Sequence, residues 1–170
     1  MIVLVIGGSG SGKSEYGENL AMSLGHGSLI YIATMQPLDE ESKLRVKKHQ
    51  AMRKDKNFVT IECFTGLDRI TLPEESTVLL ECMSNLAANE MFSSTGAKEK
   101  TYERIQCGIK NLAKQSEHLI LITNNVFDDG CQYDPETIAY MKVLGKLNQW
   151  IGSISDQVIE VVHGIPIPFK

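Results

Sequence analysis

The chain has 170 residues, 42% of them hydrophobic and 22% charged, with a formal net charge of −4. A chain of this length fits one domain and buries roughly 70% of the surface its unfolded form would expose, so it needs no disulfide or metal staple. The mildly acidic balance gives no basis for a nucleic-acid or membrane-binding surface, and no apolar run approaches the ~20 residues of a membrane-spanning helix.

The first predicted element is a strand, Ile2 to Ile6, which runs directly into Gly7-Gly8-Ser9-Gly10-Ser11-Gly12-Lys13-Ser14. This is the Gly-x4-Gly-Lys-Ser pattern of a phosphate-binding loop. Its glycines let backbone N–H groups turn around phosphate oxygens, and the helix that follows, expected over Glu15 to Leu24, offers its positive end. Lys13 would reach the β and γ phosphates, and the Ser14 hydroxyl would sit on Mg²⁺. A strand that feeds this loop cannot also be a signal peptide, so a cytosolic protein is expected.

Further Val/Ile/Leu-rich runs follow at Leu29 to Ala33, Phe58 to Glu62, Thr77 to Glu81, Leu119 to Thr123 and Val158 to Val162, separated by helical patterns or loops. Continuously apolar strands alternating with helices predict an α/β domain with a mostly parallel central sheet flanked by helices. Gly164 to Lys170 predicts a turn and a short edge strand, because Pro166 and Pro168 remove ladder donors. Ser93 to Lys98 and Phe127 to Pro135 are the expected flexible loops. Cys63, Cys82, Cys107 and Cys131 show no metal-ligand spacing, and most are expected to be small buried hydrophobes.

Ligands of an open α/β sheet gather beyond the carboxyl ends of its strands. That rule singles out Thr34, Met35 and Gln36 after the second run, Glu81 after Val78-Leu79-Leu80, and Thr123, Asn124 and Asn125 after the fifth. Glu81 has two readings: the acid that organises Mg²⁺, or a capping acid for a helix starting near Met83. Between the second and third runs, Asp39 to Lys54 predicts a helix with Glu40 and Glu41 early and basic residues late. Arg45, His49 and Arg53 fall four apart on one face of it. Two guanidinium groups favour a neutral imidazole and attract phosphate, which suits a histidine nucleophile. The plainer reading is a solvated basic face with a surface histidine.

Taken together, Gly7-Gly8-x-x-Ser11-Gly12-Lys13-Ser14, Tyr31-Ile32-Ala33-Thr34, Arg45-x3-His49-x3-Arg53, Glu62, Leu79-Leu80-Glu81-Cys82, Asn89, Thr123-Asn124, Asn148-Gln149 and Gly164-Ile165-Pro166 resemble the adenosylcobinamide kinase/adenosylcobinamide-phosphate guanylyltransferase family of cobalamin biosynthesis. The blocks keep the family's order over nearly the whole chain. The resemblance implies a single P-loop, RecA-like domain over residues 1–170 that phosphorylates adenosylcobinamide with ATP or GTP. The same domain would then transfer GMP from GTP to the new phosphate through a guanylylated histidine, at His49. It also implies GTP contacts at Gly7 to Ser14, at Thr34, Met35 and Gln36, at Gln50, Ala51, Met52 and Arg53, and at Glu62 and Glu81. Mg²⁺ would be held at Ser14 and Glu81, and a homotrimer is implied. The chain departs from the family at Asn125, where an acid is usual, and at Phe127, where glycine is usual. It departs again at Met141 and Lys142 for an Arg-Asp pair, at Lys146 for Arg, and at Phe58 for Trp. Two alternatives stay open at this point: a P-loop kinase for another small hydroxyl substrate with no covalent histidine, and a nucleotide-binding regulator without turnover.

Overall fold

The computed structural model describes residues 1–126 and 132–170, and gives Arg45, Lys48 and Met52 through their backbone alone. Seven strands form one sheet: β1 (Ile2–Gly7), β2 (Leu29–Ala33), β3 (Val59–Glu62), β4 (Ser76–Leu80), β5 (Ser116–Asn124), β6 (Gln157–Val162) and β7 (Ile165–Pro168). Their order across the sheet is β3-β2-β4-β5-β1-β6-β7, and every neighbouring pair is parallel except β6 with β7. The expected α/β architecture with a mostly parallel sheet is present. Five α-helices are described: α1 (Lys13–Leu24), α2 (Glu40–Arg53), α3 (Met83–Phe92), α4 (Thr101–Gln115) and α5 (Pro135–Ile154).

Central strands that are apolar on both sides need a cover on each face. β4, with all five residues buried, is the clearest case. On one face Leu86, Ile109, Leu112, Leu144, Leu147 and Ile151 of α3, α4 and α5 pack with Leu4, Val78, Leu80, Leu119 and Leu121. On the other, Ala21 and Leu20 of α1 meet Val3, Val5, Leu79, Ile120 and Ile122. Truncating one such fully buried Leu or Ile to Ala costs about 2–5 kcal/mol. This two-sided packing fixes β1, and with it the start of the phosphate loop.

Three expectations change. β5 begins at Ser116, before the apolar run, because Ser116 and His118 pair with Ser76 and Thr77 of β4. Ser93 to Ala97 is a loop and Lys98 opens a 3-10 turn, and the Glu90 carboxylate ties the loop down by accepting from Ala97 N at 2.9 Å. The other expected flexible stretch lies outside the described residues over 127–131, and its end caps α5 through Asp134, which accepts from Glu136 N and Thr137 N. Of the three described cysteines, Cys63 is buried as expected, whereas Cys82 is intermediate and Cys107 exposed; Cys131 lies outside the described residues. Cys107 faces out because the buried stripe of α4 runs through Ile105, Gly108, Ile109 and Leu112.

The expected edge strand is β7, joined to β6 by His163 and Gly164 at φ 50° and 80°. Two residues at positive φ make the tight hairpin turn whose twist matches the strands. This turn abuts the phosphate loop. Gly164 N donates to Ser11 O at 2.8 Å, and a Cβ on Gly12, itself at φ 91°, would lie 3.3 Å from Gly164 Cα. Among the described residues, no helix is long and apolar enough to cross a membrane.

Candidate active site

A cleft of about 630 Å³ opens beyond the carboxyl ends of β1, β4 and β5. Ser9 to Glu15 form one side of it, and Met35, His49, Glu81, Cys82, Asn85 and Asn124 form the rest. Lys13 is 9% exposed and its Nζ donates to Gly8 O at 2.9 Å, so the ammonium is folded over its own loop. Burial lowers its pKa from the ordinary value. A cation in a poorly solvated place with a single neutral acceptor is primed for an anionic partner. The Ser11 hydroxyl is also buried and without a hydrogen-bond partner.

Glu81 lies at the cleft floor, just past β4. Its Oε1 accepts from the Tyr31 hydroxyl at 3.0 Å, and its Oε2 accepts from Thr34 N at 2.9 Å and Met35 N at 3.2 Å. The capping reading of Glu81 is therefore corrected: α3 starts from Cys82, with no side-chain cap. The carboxylate instead binds the end of β2 to the end of β4. Burial, with Glu81 adding to it, raises the pKa of Tyr31, so the phenol stays a donor. Thr34 is fully buried, and its hydroxyl donates to Cys82 O at 3.0 Å while its carbonyl accepts from Asn89 Nδ2 at 2.8 Å. Its side chain thus holds the strand ends rather than facing the cleft. Burial also raises the Cys82 thiol, which receives Asn124 Nδ2 at 3.6 Å.

α2 carries His49. Asp39 and Ser42 form a reciprocal capping box at its start, with Ser42 N donating to Asp39 Oδ1 at 2.6 Å and Asp39 N to Ser42 Oγ at 3.0 Å. His49 lines the cleft and also a smaller hollow of about 30 Å³ behind it, with Met35, Gln50, Arg53, Thr60, Glu62 and Glu81. Its Nδ1 is buried with no partner. Arg53 does not share a solvated face with His49: it is 7% exposed and lies over the Tyr31 ring, 3.5 Å from the centroid. One of its terminal nitrogens is buried and unbonded beside that hollow. Phe58, where the family usually has Trp, packs edge-on to the same ring at 6.0 Å.

The structure thus gathers the phosphate loop, Met35, His49 and Glu81 in one cleft, and Gln50, Arg53 and Glu62 in the hollow joined to it through His49. Gln36 and Ala51 line neither space. The side chains of Arg45 and Met52 lie outside the described residues. Asn85 and Cys82 were not anticipated as cleft residues, although Cys82 directly follows Glu81 and Asn85 falls in the first turn of α3. A helix starting there is the signal that points to both. Among the described residues, no three His, Cys, Asp or Glu side chains converge to hold a metal.

Residues 3–169 match the cobinamide kinase / cobinamide phosphate guanyltransferase family. The chain belongs to that family. It is similar over its full length, and over theirs, to the bifunctional adenosylcobalamin biosynthesis proteins CobU of Salmonella typhimurium, at 31% identity, and of Escherichia coli, at 30%. It is 27% identical to the bifunctional adenosylcobalamin biosynthesis protein CobP of Pseudomonas aeruginosa over 98% of this chain and 96% of that one. The family's two activities are a phosphoryl transfer and a guanylyl transfer.

Proposed function

We propose that one domain spanning the chain carries out both family reactions in this single cleft, on adenosylcobinamide and then on its phosphate. In the first, the substrate hydroxyl attacks the γ-phosphorus of ATP or GTP, the bond to the β-phosphate breaks, and the nucleoside diphosphate leaves. Lys13 and the loop amides neutralise the charge on the transferring oxygens. In the second, an imidazole nitrogen of His49 attacks the α-phosphorus of GTP and pyrophosphate leaves, so GMP is held by a P–N bond. A phosphate oxygen of the corrinoid then attacks the same phosphorus, the P–N bond breaks, and His49 is regenerated as adenosylcobinamide-GDP forms. The observation that carries this reading is that His49 lines the same cleft as Lys13 and Ser14.

Glu62 and the unpaired nitrogen of Arg53 face the hollow beside His49. A carboxylate there suits the adjacent N–H donors of guanine, and a guanidinium suits a phosphate or carbonyl oxygen. Mg²⁺ fits the donors present, since it keeps most of its waters and takes one or two protein oxygens. Ser14 and Glu81, whose carboxylate has acceptor capacity beyond its three protein donors, would hold it, and it would neutralise charge on the β- and γ-phosphates.

By its resemblance the protein would be a cytosolic homotrimer. β7 and the residue after it leave Ile165, Ile167 and Phe169 exposed, and the register puts Ile165 opposite Val162. Pro166 and Pro168 offer no N–H donors, so association would use those exposed side chains rather than strand addition. Light scattering on the purified protein tests the oligomer. For the chemistry, mass spectrometry after incubation with GTP and Mg²⁺ should find one added GMP on the peptide containing His49. No adduct, or one elsewhere, would overturn the covalent route.

A further inference from the structure

α2 borders the hollow through Val46, His49 and Gln50 and is anchored at its C-terminal end. Among its described side chains only Arg53, its last residue, is buried, and Leu44 in its middle is 66% exposed. Beyond Arg53 the chain turns sharply: Lys56 N donates to Arg53 O at 2.9 Å, and Asn57 takes φ 55°. That turn delivers the Lys56 ammonium to Glu18 Oε2 at 2.7 Å. The Glu18 side chain is 1% exposed and that of Lys56 19%, so the pair is largely shielded from water. Glu18 lies one helical turn beyond Ser14 on α1, the helix that begins in the phosphate loop.

Two described contacts anchor the C-terminal end of α2. The Arg53 guanidinium lies on Tyr31, whose hydroxyl binds Glu81 on the cleft floor. Lys56 binds α1. A shielded ion pair is a poor source of net stability, because desolvating both charges offsets their attraction. Its geometry is nevertheless specific, and here it ties the phosphate-loop helix to the end of the histidine helix, 38 residues apart in sequence.

We propose that the Glu18–Lys56 pair is a positioning device for the transfer through His49: it sets the nucleophile against the phosphate loop and is dispensable for phosphoryl transfer to the corrinoid hydroxyl. The inference rests on the reading of His49 as the nucleophile. A nucleophile displaced by about 1 Å loses up to about 10²-fold in rate even where its ligands still bind. Phosphoryl transfer uses the loop and Lys13, which β1 and α1 hold independently of α2.

The test measures initial rates of GMP labelling and of ATP-dependent phosphorylation in the full chain. Lys56→Met keeps the stem and removes the charge. It should lower the maximal labelling rate by about 10- to 100-fold while half-saturating GTP and phosphorylation each change less than about threefold. Lys56→Arg, which keeps the charge, should recover most of the labelling. Because Lys56→Met strands the Glu18 carboxylate, the double variant Glu18→Gln/Lys56→Met, which removes both charges, is measured beside it and must show the same split. Labelling at the wild-type rate in both variants, or parallel loss of labelling and phosphorylation in the double variant, overturns the proposal. Wild-type protein that never labels His49 overturns the covalent reading instead, so the two failures are distinct.

Discussion

The phosphate loop and the histidine helix face each other across one cleft but are built in opposite ways. The loop is enclosed: β1 lies under it between β5 and β6, the turn between β6 and β7 presses on Gly12, and Lys13 is folded onto Gly8 O. α2 is capped at its start by its own residues, its described side chains are exposed or half-buried before Arg53, and it is held at its end by Arg53 and the turn that follows. A group that grips phosphates in every reaction gains from being fixed in advance, since preorganised charge needs no reorganisation during the reaction. A group that forms and breaks a bond to one nucleotide must meet two different reactants in turn, and a lightly packed carrier suits that task.

Removing the proposed nucleophile should give the largest effect. His49→Ala is expected to abolish GMP labelling and leave phosphorylation of the corrinoid measurable, as followed with labelled nucleotide in both assays. Equal loss of both activities in a folded variant would show that the two sides are not separable. Next comes Lys13→Ala, which removes charge stabilisation common to both steps and should lower each by on the order of 10²–10³. Labelling that persists unchanged would take the loop out of the mechanism.

Gly12→Ala tests the enclosure itself. A side chain at φ 91° and 3.3 Å from Gly164 Cα strains the loop, by about 1–3 kcal/mol. It should depress the melting temperature by several degrees and impair both activities together; a variant with native melting and native rates would mean the turn does not brace the loop. Arg53 tests the other side. Its cation–π contact with Tyr31 contributes about 0.5–2 kcal/mol. Arg53→Gln should slow labelling about 3- to 30-fold, and Arg53→Lys should restore only part of it, because a lysine lacks the planar group that stacks and forks. Full rescue by lysine would leave charge alone as the role of Arg53.

The smallest effect is on pH dependence. Burial holds the Lys13 ammonium of the free protein below 10.5, and a bound triphosphate raises it again by adding negative charge. Between those two values the complex holds more protons than the free protein. Nucleotide affinity is therefore full below the lowered value and declines as pH rises through the window. Calorimetry at alkaline pH in two buffers of different ionisation enthalpy should show proton uptake on binding, and identical heats would rule the linkage out.

The sheet was legible because its strands are short apolar runs with turn residues between them. Leu29–Ala33 agrees residue for residue, and the helix start at Glu40 follows from Asp39 as a cap. The phosphate loop was legible because its chemistry is local, with all its groups within eight consecutive residues. Much of what fixes α2 was not: Arg53 on Tyr31 and Lys56 on Glu18 join residues 22 and 38 positions apart. Spacing along one helix put Arg53 on a face with His49, and both line the hollow, but nothing local shows that this end of the face is buried against Tyr31. Glu81 was placed correctly at the cleft, but its three donors come from β2 and the residues after it, and no local pattern near Glu81 announces them.

The contact between Gly164 and Ser11 joins the phosphate loop to a turn far downstream in the chain. During synthesis β1 and its loop emerge early, yet the loop lacks the backbone donor to Ser11 O and the Gly164 Cα that confines Gly12 until more than 150 further residues have been added. A nascent chain stalled before His163 would carry an intact nucleotide motif in its sequence and an unbraced loop in its fold. Bracing of the phosphate loop by this turn therefore waits until β6 and β7 have paired.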